Sequence, residues 1–136
     1  MPIRYHLKPD QKLASFVHVG AVTDDEFLSF YRALYADSRF DQSFNLLVDL
    51  RQTDSSVRSS GALDSFAGFM QRQLLNSRAR PKVAVIAPQD ISFGLARMYA
   101  AFARDVPWEF EVFRAPDRAL AWLGLPESLV NELEQE

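Results

Sequence analysis

Cysteine is absent from the 136 residues, which removes disulfides, thiolate metal sites and cysteine nucleophiles in one step. It also fits a reducing compartment. Histidine is almost absent, with only His6 and His18. A metal centre needs several ligands converging at a recognisable spacing, and no such pattern can be written here. A serine hydrolase needs a Gly-x-Ser-x-Gly elbow with an acid and a histidine beyond it, and that elbow is missing too. The five glycines, Gly20, Gly61, Gly68, Gly94 and Gly124, are scattered, so neither the phosphate loop nor the dinucleotide fingerprint is present. The expectation is a protein with no cofactor and no metal.

Positive charge is scarce. The formal net charge is -3, and the one basic stretch is Arg72, Arg78, Arg80 and Lys82. Phosphate backbones are held by concentrated positive surface, and the aromatics are not interleaved with basic residues as single-strand binding requires. Nucleic acid is therefore not an expected partner. Long apolar runs are also missing: nothing approaches the roughly 20 residues that span a bilayer. The opening Met-Pro-Ile-Arg-Tyr-His has no apolar signal core behind it, so a cytoplasmic location is expected.

The remainder is ordinary globular sequence, 48% hydrophobic and 24% charged. A chain of this length buries roughly two thirds of its unfolded surface, enough for one self-sufficient domain. The expected unit is 1–136, with a short terminal helix over 126–135 as an appendage. Ile3–Leu7 and Lys12–Val22, separated by Lys8-Pro9-Asp10, read as an antiparallel hairpin. In the second strand Leu13, Ser15, Val17 and Val19 share one face and Ala14, Phe16 and His18 the other. Thr23-Asp24-Asp25-Glu26 is a capping box with Val22 and Phe27 as its hydrophobic staple, and it opens a helix through Tyr35. Phe44–Leu50 is a nearly continuous apolar run, the mark of a strand buried on both faces. The polar segment Arg51–Ser60 follows, with four serines and two arginines. A helix carrying Leu63, Phe66, Ala67, Met70 and Leu74 comes next, with Ser60 as its expected N-cap. Val83–Ala87 is a second buried strand, and Ile91–Phe102 a third helix. Phe110–Phe113 is a short strand, and Pro116–Leu123 a helix that Gly124 ends. Strands alternating with helices predict an α/β fold with a mainly parallel sheet.

Candidate functional residues fall into two groups. Ligands of open α/β sheets gather beyond the carboxyl ends of the strands, where Arg51–Ser60 and Pro88–Ser92 meet if their strands are neighbours. Asp49, Arg51, Ser59, Ser60 and Asp90 belong to this group. A carboxylate at the position of Asp49 must be solvated, paired or hydrogen-bonded, and Arg51 is one partner within reach. The second group is apolar. Phenylalanine is over-used, at 11 residues, and Phe30, Phe69 and Phe93 lie off the main stripes of their helices. Phe93 with Tyr99 and Trp108 marks a doubly packed helix, a homodimer surface or a ligand cavity. The basic stretch serves a helix C-terminus or a peripheral membrane contact.

Several phrases together resemble a known family. Leu46-Leu47-Val48-Asp49-Leu50-Arg51, Ser59-Ser60-Gly61 opening a helix, and Val83-Ala84-Val85-Ile86-Ala87 look like the SpoIIAA-like proteins of the STAS (anti-sigma-factor antagonist) fold. Phe93-Gly94-Leu95-Ala96-Arg97-Met98-Tyr99 and Ala119-Leu120-Ala121-Trp122-Leu123 are similar to that branch in particular, and the likeness covers roughly residues 1–124. It implies a mixed sheet of about five strands, an opening hairpin and then parallel crossovers, with helices mainly on one face. It also implies a non-enzymatic regulator. The best-known members bind a kinase-type partner and nucleotide, and are switched by phosphorylation of a serine before a glycine at a helix start. That serine would be Ser60, although Arg58 stands where the motif carries an aspartate. The branch also resembles lipid-carrying CRAL-TRIO folds, which implies an apolar ligand near the Phe-rich helices. These readings leave three expectations. The first is a binder of a small apolar or lipid-like ligand, with membrane contact. The second is a protein-interaction switch on Ser59 and Ser60. The third is an enzyme using Asp49, Arg51 and Asp90.

Overall fold

The hairpin, the capping box and the alternating strands and helices all have structural counterparts in the computed structural model, which describes residues 2–129 and 132. β1 (Ile3–Lys8) and β2 (Leu13–Gly20) form the antiparallel hairpin, with Ile3 opposite His18 and Lys8 opposite Leu13. Lys12, at φ 50°, closes the turn between them. β3 (Asn45–Thr53), β4 (Lys82–Ile86) and β5 (Glu109–Phe113) then join in parallel, giving the strand order β1-β2-β3-β4-β5.

This order fixes where the helices go. Each crossover steps in the same direction along the sheet, so crossovers of one hand deposit their helices on one face. α1 (Asp24–Ala36), α2 (Ser60–Leu74) and α3 (Asp90–Phe102) therefore share a layer. Their apolar stripes meet Ala14 and Phe16 of β2, Leu46 and Val48 of β3, Val83 and Val85 of β4, and Val112 of β5 in one core. α4 (Pro116–Leu123) comes after the last strand and covers the other face. There Leu13, Leu47, Ala84 and Ile86 pack against Ala119, Leu120 and Leu129. The sheet is thus sandwiched, which explains why β2 is buried on both sides despite its tidy alternation.

The predicted local signals act as expected. Thr23 Oγ1 accepts from the Glu26 backbone N–H, and the Thr23 N–H donates to Glu26 Oε1 at 2.9 Å. Val22 and Phe27 are both buried in the same core. Pro116 is the first residue of α4, and Gly124 ends it at φ 75°, a conformation costly for residues with a Cβ.

Several boundaries differ by a residue or two, and three bear on the carboxyl ends of the strands. β3 does not stop at Leu50 but runs through Arg51, Gln52 and Thr53. α2 is capped by Ser59, whose hydroxyl accepts from the Ala62 N–H, so Ser60 is the first helical residue and not the cap. α3 begins at Asp90. In the expected terminal helix over 126–135, Leu129 is buried and Glu132 meets Lys8 at 3.4 Å. The other positions from 130 onward lie outside the described residues.

Candidate functional site

The layer between the sheet and α1–α3 is not filled. Its floor is made of mid-sized residues, Leu46, Val48 and Leu50 of β3 with Val83 and Val85 of β4. Phe27, Tyr31 and Tyr35 of α1, Leu63 and Phe66 of α2, and Leu95, Ala96 and Tyr99 of α3 close over it. Trp108 and Phe110 bound one end. What remains is a partly open cavity of about 100 Å³. It runs along the strands from the Trp108 layer towards their carboxyl ends, about 13 Å from Leu46 to Leu50 at the usual strand rise.

Its walls are apolar except at two places. At the Trp108 end, the Tyr99 hydroxyl and the Trp108 indole N–H are buried without a hydrogen-bond partner in the protein. Tyr99 is 5% exposed and Trp108 8%, and their rings lie 6.1 Å apart. Burial raises the Tyr99 pKa well above that of an ordinary tyrosine, so the hydroxyl stays protonated and can donate. An unmet buried donor costs roughly 1–3 kcal/mol, so two on residues of one cavity wall call for an explanation.

The second polar place is at the carboxyl ends of the strands. The β2–β3 register shifts between Val17, opposite Asp49, and Val19, opposite Gln52, so β3 carries one extra residue there. Such a bulge re-aims the side chains beyond it. Leu50 continues the alternation of Leu46 and Val48, and the bulge brings Thr53, of the opposite parity, to the same wall; Thr53 Oγ1 donates to the Gly20 carbonyl at 2.6 Å. The segments after β3 and β4 meet, as the neighbouring strands require: Ser55 Oγ and Ser92 Oγ lie 2.7 Å apart, and both residues line the cavity.

Arg58 closes this end. Its side chain is only 10% exposed and lies over the Phe27 ring at 4.3 Å. It donates to Asp24 at 2.8 Å and to the Val22 carbonyl at 3.0 Å. Asp24 also accepts from the Ser59 N–H and hydroxyl. Partial desolvation works against the Asp24 carboxylate, but the bonds from Ser59 and Arg58 outweigh it and hold its pKa below the usual value. The arginine before the two serines thus ties the start of α2 to the start of α1. Next to it, His18 is 4% exposed and its Nε2 meets the Tyr31 hydroxyl at 2.9 Å. Burial first, and the Arg58 charge second, lower its pKa to about 3 against a weaker opposing pull from Asp49.

The expected site residues are dispersed. Tyr99 and Trp108 line the cavity. Phe93 does not: it is half-buried against the core, with the Arg114 guanidinium 4.2 Å from its ring. Asp49 and Arg51 sit on the opposite sheet face, in the parity of Leu47, where Asp49 accepts from the Arg51 N–H, Nε and Nη2 at 2.8–3.2 Å. Asp90 is exposed and pairs with Arg114 at 2.9 Å, so Asp49, Arg51 and Asp90 do not converge. Ser59 is engaged by Asp24 and the helix start; Ser60 is exposed. Phe30 and Phe69 pack half-buried against the core, Phe30 edge-on to Phe16 and Phe69 stacked on Phe66. Arg72, Arg78 and Arg80 are exposed, while Lys82 lies 5.1 Å over the Trp122 ring. Among the described residues no helix is long and apolar enough to cross a membrane.

Comparison with known proteins agrees with this architecture. The family model described as SpoIIAA-like matches residues 14–124. An uncharacterised protein with a SpoIIAA-like fold from Shewanella loihica PV-4 is similar in structure, with a TM-score of 0.56. The match covers 89% of this chain and 91% of that one at 19% identity, a level that speaks to fold alone. No curated protein matches.

Proposed function

The chain belongs to the SpoIIAA-like family, and on that premise we propose a non-enzymatic, STAS-like regulatory domain that binds a small apolar molecule between its sheet and α1–α3. The observation that carries this reading is the cavity itself, apolar along its length and partly open. Small-molecule sites have that character: concave, mostly apolar, with a few placed polar groups. Its volume is below the roughly 150 Å³ of an engineered apolar cavity that admits benzene. The ligand is therefore a compact body, or the end of a longer chain that continues outside.

Native mass spectrometry and solvent extraction of the purified protein test this directly, with an extractable apolar compound in near-stoichiometric amount as the expected result. A variant sharpens it. Ala96 is buried in the cavity wall, and Ala96→Leu places three more carbons there. Burying them contributes about 0.8 kcal/mol each, offset by the strain of extra volume. Folding stability should stay within about 1 kcal/mol of wild type while ligand retention falls at least ten-fold. Unchanged retention in a folded Ala96→Leu protein would remove the cavity from consideration.

A second reading rests on Ser60. It is exposed at the first position of α2, while its neighbour Ser59 is occupied. A phosphate there is favoured by the helix start and would sit beside the Arg58–Asp24 pair. In this reading the domain is a protein-interaction switch. Pull-downs from its own cells with Ser60→Asp and Ser60→Ala should recover different partners; identical sets would end it.

A further inference from the structure

We propose that the cavity selects ligands bearing a neutral hydrogen-bond acceptor, of the ketone, ester or ether class, which pairs with the Tyr99 hydroxyl and the Trp108 indole N–H. This rests on the cavity being a ligand site and adds what the ligand must carry. Tyr99 and Trp108 both line the cavity, and the Tyr99 hydroxyl and the Trp108 N–H are both buried without a protein partner. The indole N–H can only donate, and a protonated phenol also donates. The complement to both is an acceptor.

The acceptor is neutral. Arg58 is the single charged residue in the described wall, and its guanidinium is committed to Asp24 and the Val22 carbonyl. Its place after β3 puts it at the carboxyl ends of the strands, whereas Trp108 stands just before β5 at their amino ends. His18 remains uncharged and is engaged by Tyr31. An anion beside Tyr99 and Trp108 would be desolvated against Val83, Phe110 and Phe66 with no counter-charge, a heavy penalty. A carbonyl or ether oxygen has lone pairs to offer and far less solvation to lose. The small volume keeps its carbon body in contact with Val85 and Ala96.

Matched probes separate this inference from the broader reading. Cyclopentanone and cyclopentane differ in one oxygen. Both are titrated into full-length protein carrying Trp122→Phe, so that Trp108 supplies the one indole N–H resonance. Cyclopentanone should bind about five-fold or more tighter than cyclopentane, the effect of one hydrogen bond, and should move the Trp108 indole N–H downfield. Tyr99→Phe should weaken cyclopentanone by about five-fold and leave cyclopentane unchanged. It should not unfold the protein, because it deletes an oxygen that has no protein partner. Equal binding of the two probes with a still indole resonance overturns the acceptor inference and leaves the apolar cavity reading standing. Binding of neither probe in a protein whose spectrum is otherwise folded overturns both.

Discussion

Lowering the pH from about 6.5 to 4.5 should destabilise the wild-type protein by roughly 2 kcal/mol, and His18→Gln should abolish most of that loss. The cause is the burial of a neutral imidazole. His18 has its pKa lowered from 6.5 to about 3 in the folded protein, while in the unfolded chain it titrates normally near 6.5. Between those values the unfolded state binds more protons than the folded state, so stability rises with pH in the window and falls as acid is added. The contribution is fully present above pH 6.5 and is lost progressively as the pH falls towards 3. Each unit is worth about 1.4 kcal/mol, and because the unfolded imidazole is already half protonated at pH 6.5 the two-unit window sums to roughly 2 kcal/mol. Carboxylates held low in the fold, such as those of Asp24, Asp41 and Asp54, add their losses only below about pH 4, near their ordinary range. Glu26, held low by its bonds to Thr23, begins its loss within the window, so the difference between wild type and His18→Gln, which share it, isolates the imidazole. Glutamine can still meet the Tyr31 hydroxyl but carries no titrating group. Urea unfolding at pH 6.5, 5.5 and 4.5 checks the claim; parallel curves for the two proteins across the window would show that His18 is not held neutral by burial.

His18 also illustrates what a sequence can and cannot disclose. Alternation placed it on one face of β2 with Ala14 and Phe16; that this face is the one packed under the helices, and His18 buried with it, is what the structure adds. The hairpin, the capping box at Thr23, the stop at Gly124 and the parallel crossovers were legible as that alternation was. Each is a local pattern whose physical cause lies within a few residues. The end of β3 was not legible. Arg51-Gln52-Thr53 is polar and reads as loop, yet Gln52 and Thr53 pair with Val19 and Gly20 on a neighbour more than 30 residues away. The bulge that turns Thr53 inward leaves no local signal. Arg58 looked like a departure from a serine motif; its meaning emerges only through Asp24, which sequence separation hides. The cavity is a difference between surfaces that nearly fit, and no residue pattern reports a difference of that size. Tyr99 and Trp108 were singled out with Phe93 as a surplus of aromatics around one helix; that their polar tips go without a protein partner, against the usual habit of buried Tyr and Trp, had no sequence signal. Phe93 shared the reasoning but not the position, since its ring is taken up by Arg114.

Asp49→Ala should cost about 3 kcal/mol of folding stability while changing the affinity of a folded protein for cavity ligands by less than two-fold. Asp49 is 1% exposed, in the middle of the strand that the sequence marked most clearly. Its oxygens accept from the Arg51 backbone N–H at 3.0 Å, from Nε at 3.0 and 3.2 Å and from Nη2 at 2.8 Å. The Arg51 side chain is itself only 22% exposed. Truncating the carboxylate leaves a half-desolvated guanidinium and a backbone donor without this acceptor, and breaking a buried pair from one side costs about 3–5 kcal/mol. Partial exposure of the arginine places the expected value at the lower end. The reverse change, Arg51→Met, strands the more deeply buried partner and should cost at least as much. The pair as a whole is worth far less than either half. Asp49→Leu with Arg51→Leu removes both desolvation costs together and should recover to within about 1 kcal/mol of wild type. This pattern of two severe single variants and a mild double variant is what a brace gives. A binding residue would instead leave stability nearly untouched and abolish ligand uptake. Because Asp49 faces away from the cavity, chemical unfolding and ligand titration on the same three variants separate the two roles. Loss of cavity binding in the stable double variant would return Asp49 and Arg51 to the functional site.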